Sequence, residues 1–319
     1  MTRTGPRRRG RVRAAQLVAL VLLVGTLIGV GDRPGAQAAI AGDFDAGNII
    51  SDAAFFDPGR MSDHQVQAFL DARGSSCVAG EQACLKDYIT TTGSRGADAY
   101  CRGYPGGLVQ SAAQIIVGVA GSCGVNPQVL LVLLEKEQRL VTRTQPTSIQ
   151  YTKAVGYACP DTAPCNPAYA GLFNQLYSAS HRFQEYAEPA NNFRYKAGQW
   201  NSIGYNPNAD CGAGNVFIAN RATAGLYNYT PYQPNAAAMG NLYGTGDVCS
   251  AYGNRNFWRM FSDWFGNPQA GGGHLMRTAE NGTVFLVSGS SKYVVPDLGM
   301  LSALAPLGPV GFVSQQYLD

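Results

Sequence analysis

The sequence predicts an α+β fold that is mainly helical and is built around one strongly apolar helix. Seven apolar residues fall within 129–140, and a helix that is apolar over most of its circumference belongs in the centre of a domain. Residues 192–220 instead contain short apolar runs separated by Gly, Asn and Pro, which predicts a small β-lobe. The 319 residues are enough for one sizeable domain and a short second module.

Element boundaries follow from capping residues and from the spacing of apolar side chains. Helices are expected over 62–72 and 111–120, and a Gly-containing turn leads from the second into the central helix. There Asn126 is a good N-cap, and Pro127 suits the first helical position because its missing N–H costs nothing. Further helices are expected over residues 172–186, 222–227 and 254–265.

The first 39 residues have the pattern of a secretion signal. Five Arg between positions 7 and 13 precede an apolar run from Ala14 to Val30, and residues 36–38 form an A-x-A-like cleavage site. An uncleaved membrane anchor is the alternative, although the run is slightly short for a membrane span. We therefore expect a secreted protein with no membrane span after cleavage.

Charge excludes one class of partner. Beyond residue 39 the chain has 17 basic and 20 acidic residues, so it lacks the basic patch on which nucleic-acid binding depends. We expect no nucleic-acid partner.

Eight cysteines in an exported chain predict four disulfides. We expect sequential pairing, and two of the resulting loops are short enough to close locally. The expected pairs are Cys77–Cys84, Cys101–Cys123, Cys159–Cys165 and Cys211–Cys249.

Metal-binding patterns are weak. The chain has no C-x-x-C, and its three His are far apart in sequence. Asn206, Asn208 and Asp210 alternate like ligands of a calcium loop, but this segment has one carboxylate and its Gly is misplaced by one residue. We expect no metal and no cofactor.

Two carboxylates lie on the central helix and point to nearly opposite sides, since successive residues are ~100° apart. Glu135 has Arg139 four residues on, which predicts an exposed ion pair. Glu137 instead continues the apolar row of Leu130, Leu133, Leu134 and Val141. Desolvation disfavours the charged form of an acid placed there, which suits it to proton donation. The alternative is that Glu137 caps a neighbour's backbone or pairs with an Arg at the rim.

Residues 126–137 combine N-P-x-x-L-L with Glu137 ten residues after the Pro. This segment resembles the catalytic helix of lytic transglycosylases and goose-type lysozymes, although Gln138 replaces their usual Ser. The resemblance implies a lysozyme-like domain over residues 40–266 with Glu137 as the catalytic acid.

Two later segments resemble further motifs of these families. Residues 154–157 take the place of a Gly-rich stretch that lines the sugar site, which would make Gly156 and Tyr157 substrate contacts, although the usual Gly-Leu-Met-Gln is absent. Leu226-Tyr227-Asn228 resembles the Ala-Tyr-Asn-like motif whose Tyr and Asn approach the catalytic Glu and the sugar. The alternative for residues 154–157 is that they form part of a structural disulfide loop. The alternative for the second motif is that Tyr227 packs in the core.

Other tyrosines near these motifs offer aromatic faces that suit sugar rings. They are Tyr205, Tyr229 and Tyr232.

The C-terminal part is predicted to be separate from the main domain. A Gly-rich linker spans 267–273, and residues 274–319 should form a small α+β module. Its strands are expected over 284–287 and 293–295, with a helix from Leu298. The module resembles a short unit that is repeated in secreted Gram-positive wall proteins.

The combined pattern favours a secreted, wall-associated and monomeric enzyme that cleaves peptidoglycan glycan strands. A lytic transglycosylase needs one acid, whereas hydrolysis needs a second carboxylate. The candidates for that second group are Asp161, Asp210 and Asp247.

Two alternatives differ in class. The first is a non-catalytic wall-binding or carbohydrate-binding adhesin on the same fold, because the Tyr and Asn of residues 191–256 serve sugar binding equally well. The second is a Cys–His peptidase, which is disfavoured because a free Cys would leave an odd partner. His181 is expected to be a surface or packing residue.

Overall fold

The computed structural model describes residues 1–2, 5, 38–160, 163–269, 274–278, 282–288, 291–307 and 310–312. These residues have an α+β fold that is mainly helical, as predicted. The predicted secretion signal lies almost wholly outside the described residues. Within the described part, no helix is both long enough and apolar enough to cross a membrane.

The helices lie close to their expected positions. Those up to residue 265 are α1 Asp52–Phe55, α2 Asp63–Arg73, α3 Ala112–Cys123, α4 Pro127–Gln138, α5 Ser148–Thr152, α6 Leu172–Ala187, α7 Arg221–Tyr229, α8 Ala236–Gly240 and α9 Gly253–Phe265. Near the C-terminus follows α10 Leu298–Ala303.

The strands form three small sheets. Two are antiparallel pairs, β1 Ile89–Thr91 with β2 Val109–Ser111 and β3 Gln199–Gly204 with β4 Ala213–Ile218. The third has the order β7-β6-β5-β8 and consists of β5 His274–Arg277, β6 Phe285–Ser288, β7 Ser291–Val294 and β8 Gly311–Phe312. The predicted β-lobe is therefore the β3–β4 hairpin, whereas residues 193–195 form no strand.

Helix α4 occupies the centre of the core. All six residues from Val129 to Leu134 are fully buried. The Asn126 side chain accepts a hydrogen bond from the Gln128 N–H at 2.8 Å, so the predicted N-cap is confirmed. The helix ends at Gln138, because Arg139 adopts a left-handed conformation with φ 56°. Val141 therefore lies beyond the helix and does not extend its apolar row.

Glu135 is buried, and the prediction of an exposed ion pair with Arg139 is wrong. The chain reverses after Arg139 and brings Thr142 back to the helix. One Glu135 oxygen accepts from the Thr142 hydroxyl at 2.7 Å and the other accepts from its N–H at 3.1 Å. Glu135 thus stabilises the end of α4, and Arg139 is exposed.

The Glu135→Ala substitution is expected to lower the free energy of unfolding by about 1–3 kcal/mol, because it leaves polar groups of Thr142 without their acceptors. Urea unfolding followed by circular dichroism measures the change. Arg139→Gln is the matched control and should stay within about 0.5 kcal/mol of the wild type. Equal losses in the two variants would instead indicate an ion pair.

The four predicted disulfides are all present. Each joins neighbouring cysteines along the chain, and no cysteine is free. This result removes the Cys–His peptidase from consideration, since that mechanism needs a free thiol.

The predicted linker is partly attached to the main domain. The Ser51 N–H donates to the Pro268 carbonyl at 3.2 Å, and the Gln269 amide donates to the Asn48 carbonyl. Beyond it, the described apolar cluster of the C-terminal sheet is small and consists of Met276, Val287 and Phe285.

Candidate functional site

The carboxylate of Glu137 lies on the last turn of α4 at the rim of the core. Its side chain is 26% exposed, and Oε1 lies 2.6 Å from the Nζ of Lys136. The prediction that Glu137 is desolvated at the end of a buried apolar row is therefore wrong. The helix ends one residue later, so its last turn is open to solvent. Glu137 pairs with a lysine, whereas the sequence suggested an Arg as its alternative partner.

Lys136 is far more enclosed than its partner. Its side chain is 7% exposed. Its Nζ also donates to Thr230 Oγ1 at 3.1 Å and lies 6.0 Å from the centre of the Tyr229 ring, within range of a cation–π contact. Lys136 therefore connects α4 to the end of α7.

Gly156 lies directly beneath the Glu137 carboxylate. A Cβ atom at position 156 would be 3.3 Å from Glu137 Oε2 and 3.5 Å from its Cδ. The buried amide oxygen of Gln175 on α6 holds the segment there by accepting from the N–H groups of Val155 and Tyr157. Residues 154–157 are thus beside Glu137, where the family resemblance puts the second motif.

The Gly156→Ala substitution is expected to destabilise the protein by about 1–2 kcal/mol, because φ at this position is +73° and L-residues are strained there. The added methyl group also presses on the Glu137 carboxylate. Gly121→Ala in α3 is the control, since a Cβ there meets nothing and Ala favours the helix. Thermal unfolding of both variants separates the effects, and a neutral Gly156→Ala would contradict the packing described.

Tyr157 connects the loop at Gly156 to α6. Its hydroxyl accepts from the Arg182 guanidinium at 3.2 Å, and Arg182 also pairs with Glu185. Burial opposes the charge of Arg182, but the hydrogen bond to Tyr157 and the nearby Glu185 carboxylate raise its pKa overall. The positive charge of the guanidinium is therefore balanced by Glu185 on the same helix.

Tyr229 is the aromatic residue of α7 that lies near Glu137. Its hydroxyl donates to the Val155 carbonyl at 2.6 Å, and its ring stacks on Phe183. Burial, and next the charge of Glu137, raise the pKa of Tyr229 well above its ordinary value. The sequence singled out Tyr229 only as an additional aromatic face.

Tyr227 and Asn228 lie elsewhere, so the expectation that they approach Glu137 is wrong. Tyr227 is fully buried, and its hydroxyl donates to the Ala46 carbonyl at 2.9 Å. The Asn228 side chain bonds both the N–H and the carbonyl of Tyr195. The motif identified the correct helix, but helical periodicity turns residues 227 and 229 to different sides.

Tyr205 lies in the turn of the β3–β4 hairpin, and Tyr232 pairs with the end of β3 at Gly204. The Tyr205 hydroxyl lies beside Gly214, and the ring of Tyr232 lies beside Gly204. Neither contributes to the contacts around Glu137 described above, so only Gly156 and Tyr157 of the predicted substrate-binding residues are beside Glu137.

The candidate second carboxylates are not assembled with Glu137 in the described part of the structure. Asp210 and Asp247 flank the Cys211–Cys249 disulfide, and side-chain hydrogen bonds from Asn235 and Ser250 lower the pKa of Asp247. Asp161 lies outside the described residues.

His181 is part of an ion-pair cluster. Its two ring nitrogens lie 2.9 Å from Asp98 and 2.9 Å from Glu185, as suits a packing residue. Among the described residues no cluster of His, Cys, Asp or Glu has the arrangement of a metal site.

Comparison with known proteins gives one match. A family model described as the N-terminal domain of LasA matches residues 48–275. No curated protein and no solved structure matches the chain. The resemblance to lytic transglycosylases stays a prediction.

Proposed function

The chain belongs to the LasA N-terminal domain family, and from this premise we propose that it is a secreted enzyme that acts on the bacterial cell wall. LasA is a staphylolytic endopeptidase, and its family is related to cell-wall lytic enzymes. Four disulfides support export to an oxidising environment. The substrate proposed for this chain is peptidoglycan.

We further propose that Glu137 is the general acid and base of glycan-strand cleavage. The observation that carries this proposal is convergence, since α4, residues 154–157 and the end of α7 come together around one partly exposed carboxylate. Gly156 lies against the carboxylate. Tyr229 connects α7 to the loop of residues 154–157 through its hydrogen bond to the Val155 carbonyl. A carboxylate that is partly exposed can exchange protons with a bound substrate.

The proposed reaction needs one carboxylic acid. Glu137 donates its proton to the glycosidic oxygen as the bond from that oxygen to the muramic C1 breaks. The resulting carboxylate then takes the proton of the muramic 6-hydroxyl as that oxygen bonds to C1, which yields an anhydro-sugar and restores the acid. Hydrolysis would need a second carboxylate, and neither Asp210 nor Asp247 is held beside Glu137.

A non-catalytic wall-binding protein is the second candidate, and one observation favours it. Trp200 and Phe217 face each other across the β3–β4 hairpin with ring centres 5.8 Å apart. Their exposed fractions are 70% and 45%, and large exposed aromatic pairs commonly mark binding surfaces. Sugar rings stack on such surfaces without any cleavage.

Product analysis separates the candidates. The purified chain, without its predicted signal, is incubated with peptidoglycan and the released material is examined by mass spectrometry. Anhydro-muropeptides support the proposed reaction, whereas products with reducing ends indicate hydrolysis. New peptide amino groups would indicate endopeptidase activity. Sedimentation with the wall but no released product would contradict an enzyme and support the binding protein.

A further inference from the structure

Lys136 has no part in the reaction described above, yet it pairs with Glu137 and its side chain is only 7% exposed. We propose that Lys136 is a positioning residue that holds Oε1 of Glu137 and leaves Oε2 as the oxygen that exchanges protons with the glycan. This inference rests on the proposed function of Glu137, because it specifies how the same site is organised.

The two oxygens of Glu137 have different surroundings. Oε1 is 2.6 Å from the Lys136 Nζ, whereas Oε2 is directed toward Gly156, at 3.3 Å from the place a Cβ would occupy. Because the ammonium group of Lys136 occupies Oε1, Oε2 is the oxygen without a charged partner. Gly156 has no side chain, so no methyl group presses on Oε2 from that side.

Lys136 is itself fixed by contacts that return to Gly156. Its Nζ donates to Thr230, and it lies over the ring of Tyr229. The Tyr229 hydroxyl in turn binds the carbonyl of Val155, which precedes Gly156 in the chain. The contacts thus run from Glu137 to Lys136, from Lys136 to the end of α7, and from Tyr229 on α7 to the loop at Gly156, which lies against the Glu137 carboxylate. Lys136 makes the contact to Glu137 in this series.

Other roles for Lys136 do not fit its environment. With a side chain only 7% exposed, it is closed to direct contact with a glycan strand. A covalent role would need the amine directed at a substrate, but the Nζ is directed at Glu137 and Thr230. An ordinary helix ion pair joins residues three or four apart, whereas these two are adjacent.

The test uses the purified chain and soluble glycan strands, with Lys136→Met, Lys136→Arg and Thr230→Val. Lys136→Met is expected to lower kcat about 100-fold and to leave KM within about twofold, since small misplacements of a catalytic group have effects of this size. Lys136→Arg keeps the charge and should regain part of the rate. Thr230→Val removes the hydrogen bond that Lys136 donates but keeps the ion pair with Glu137, and it should lower kcat several-fold. This variant tests the inference even if Lys136→Met fails to fold.

A double-variant cycle distinguishes positioning from general destabilisation. If Lys136 acts through Glu137, then adding Lys136→Met to Glu137→Gln causes no further loss of activity. Wild-type kcat in both Lys136→Met and Thr230→Val, or a full additional loss in the Glu137→Gln background, would overturn the inference alone. A wild-type protein that releases no glycan product would overturn the proposed function and this inference together.

Discussion

The Glu137→Gln variant is expected to release anhydro-muropeptides about 100- to 10,000-fold more slowly than the wild type, which is the usual contribution of general acid–base catalysis. The amide has nearly the same shape as the carboxylate, but it cannot donate the proton and then take it back. Quantitative mass spectrometry of released products measures the rates. A variant that keeps more than about a tenth of the rate would exclude Glu137 as the acid.

The Glu137→Gln variant is also expected to be less stable than the wild type. Loss of the Glu137 charge leaves the enclosed ammonium of Lys136 without a carboxylate partner. Removal of one member of a fully buried pair costs ~3–5 kcal/mol, and we expect less here because Glu137 is partly exposed. Rates should therefore be compared well below the unfolding temperature of each variant.

The double variant Lys136→Met/Glu137→Gln is the matched control. It removes both charges, so much of the lost stability should return, because no enclosed charge is left without a partner. Its activity should stay as low as that of Glu137→Gln. Recovery of both stability and activity would show that Glu137 acts only through folding.

The Tyr227→Ala variant is expected to lose about 3–5 kcal/mol of unfolding free energy, the usual cost of deleting a large buried ring. Tyr227 is fully buried against Tyr195 and bonds the Ala46 carbonyl, so it connects α7 to the N-terminal segment. Denaturant unfolding measures this loss. A small loss would contradict the placement of Tyr227 in the core.

Conservative variants separate the two tyrosines of α7. Tyr227→Phe should keep the wild-type rate of glycan release, since it removes a hydrogen bond that lies away from Glu137. Tyr229→Phe removes the bond to Val155 and should lower the rate. Equal rates in the two variants would contradict a role for Tyr229 in holding the site.

Local signals predicted much of the fold. The serine caps of α2 and α3 and the Asn126 cap of α4 are where the sequence indicated, because a cap depends on residues only a few positions apart. The two short disulfide loops, Cys77–Cys84 and Cys159–Cys165, were predictable for the same reason, whereas the other two pairs followed only from the sequential order of the cysteines. The β3–β4 hairpin also followed from short apolar runs separated by turn residues.

Sequence patterns were less informative about the site. The end of α4 depends on a left-handed Arg139, which no glycine signals, so the environments of Glu135 and Glu137 were predicted in reverse. The importance of Lys136 and Tyr229 arises from contacts between α4, α7 and the loop at Gly156. Spacing within a segment carries no information about such contacts, and the family motif pointed to Tyr227 instead.

The four disulfides also bear on the order in which the protein can fold. They enclose loops with sequence separations of 7, 22, 6 and 38 residues, and no loop crosses or contains another. A chain that emerges N-terminus first can therefore complete each bond before the next pair of cysteines appears. None of the four joins α4 to α7, so the approach of Glu137 to Tyr229 depends entirely on noncovalent packing, which oxidation alone cannot impose.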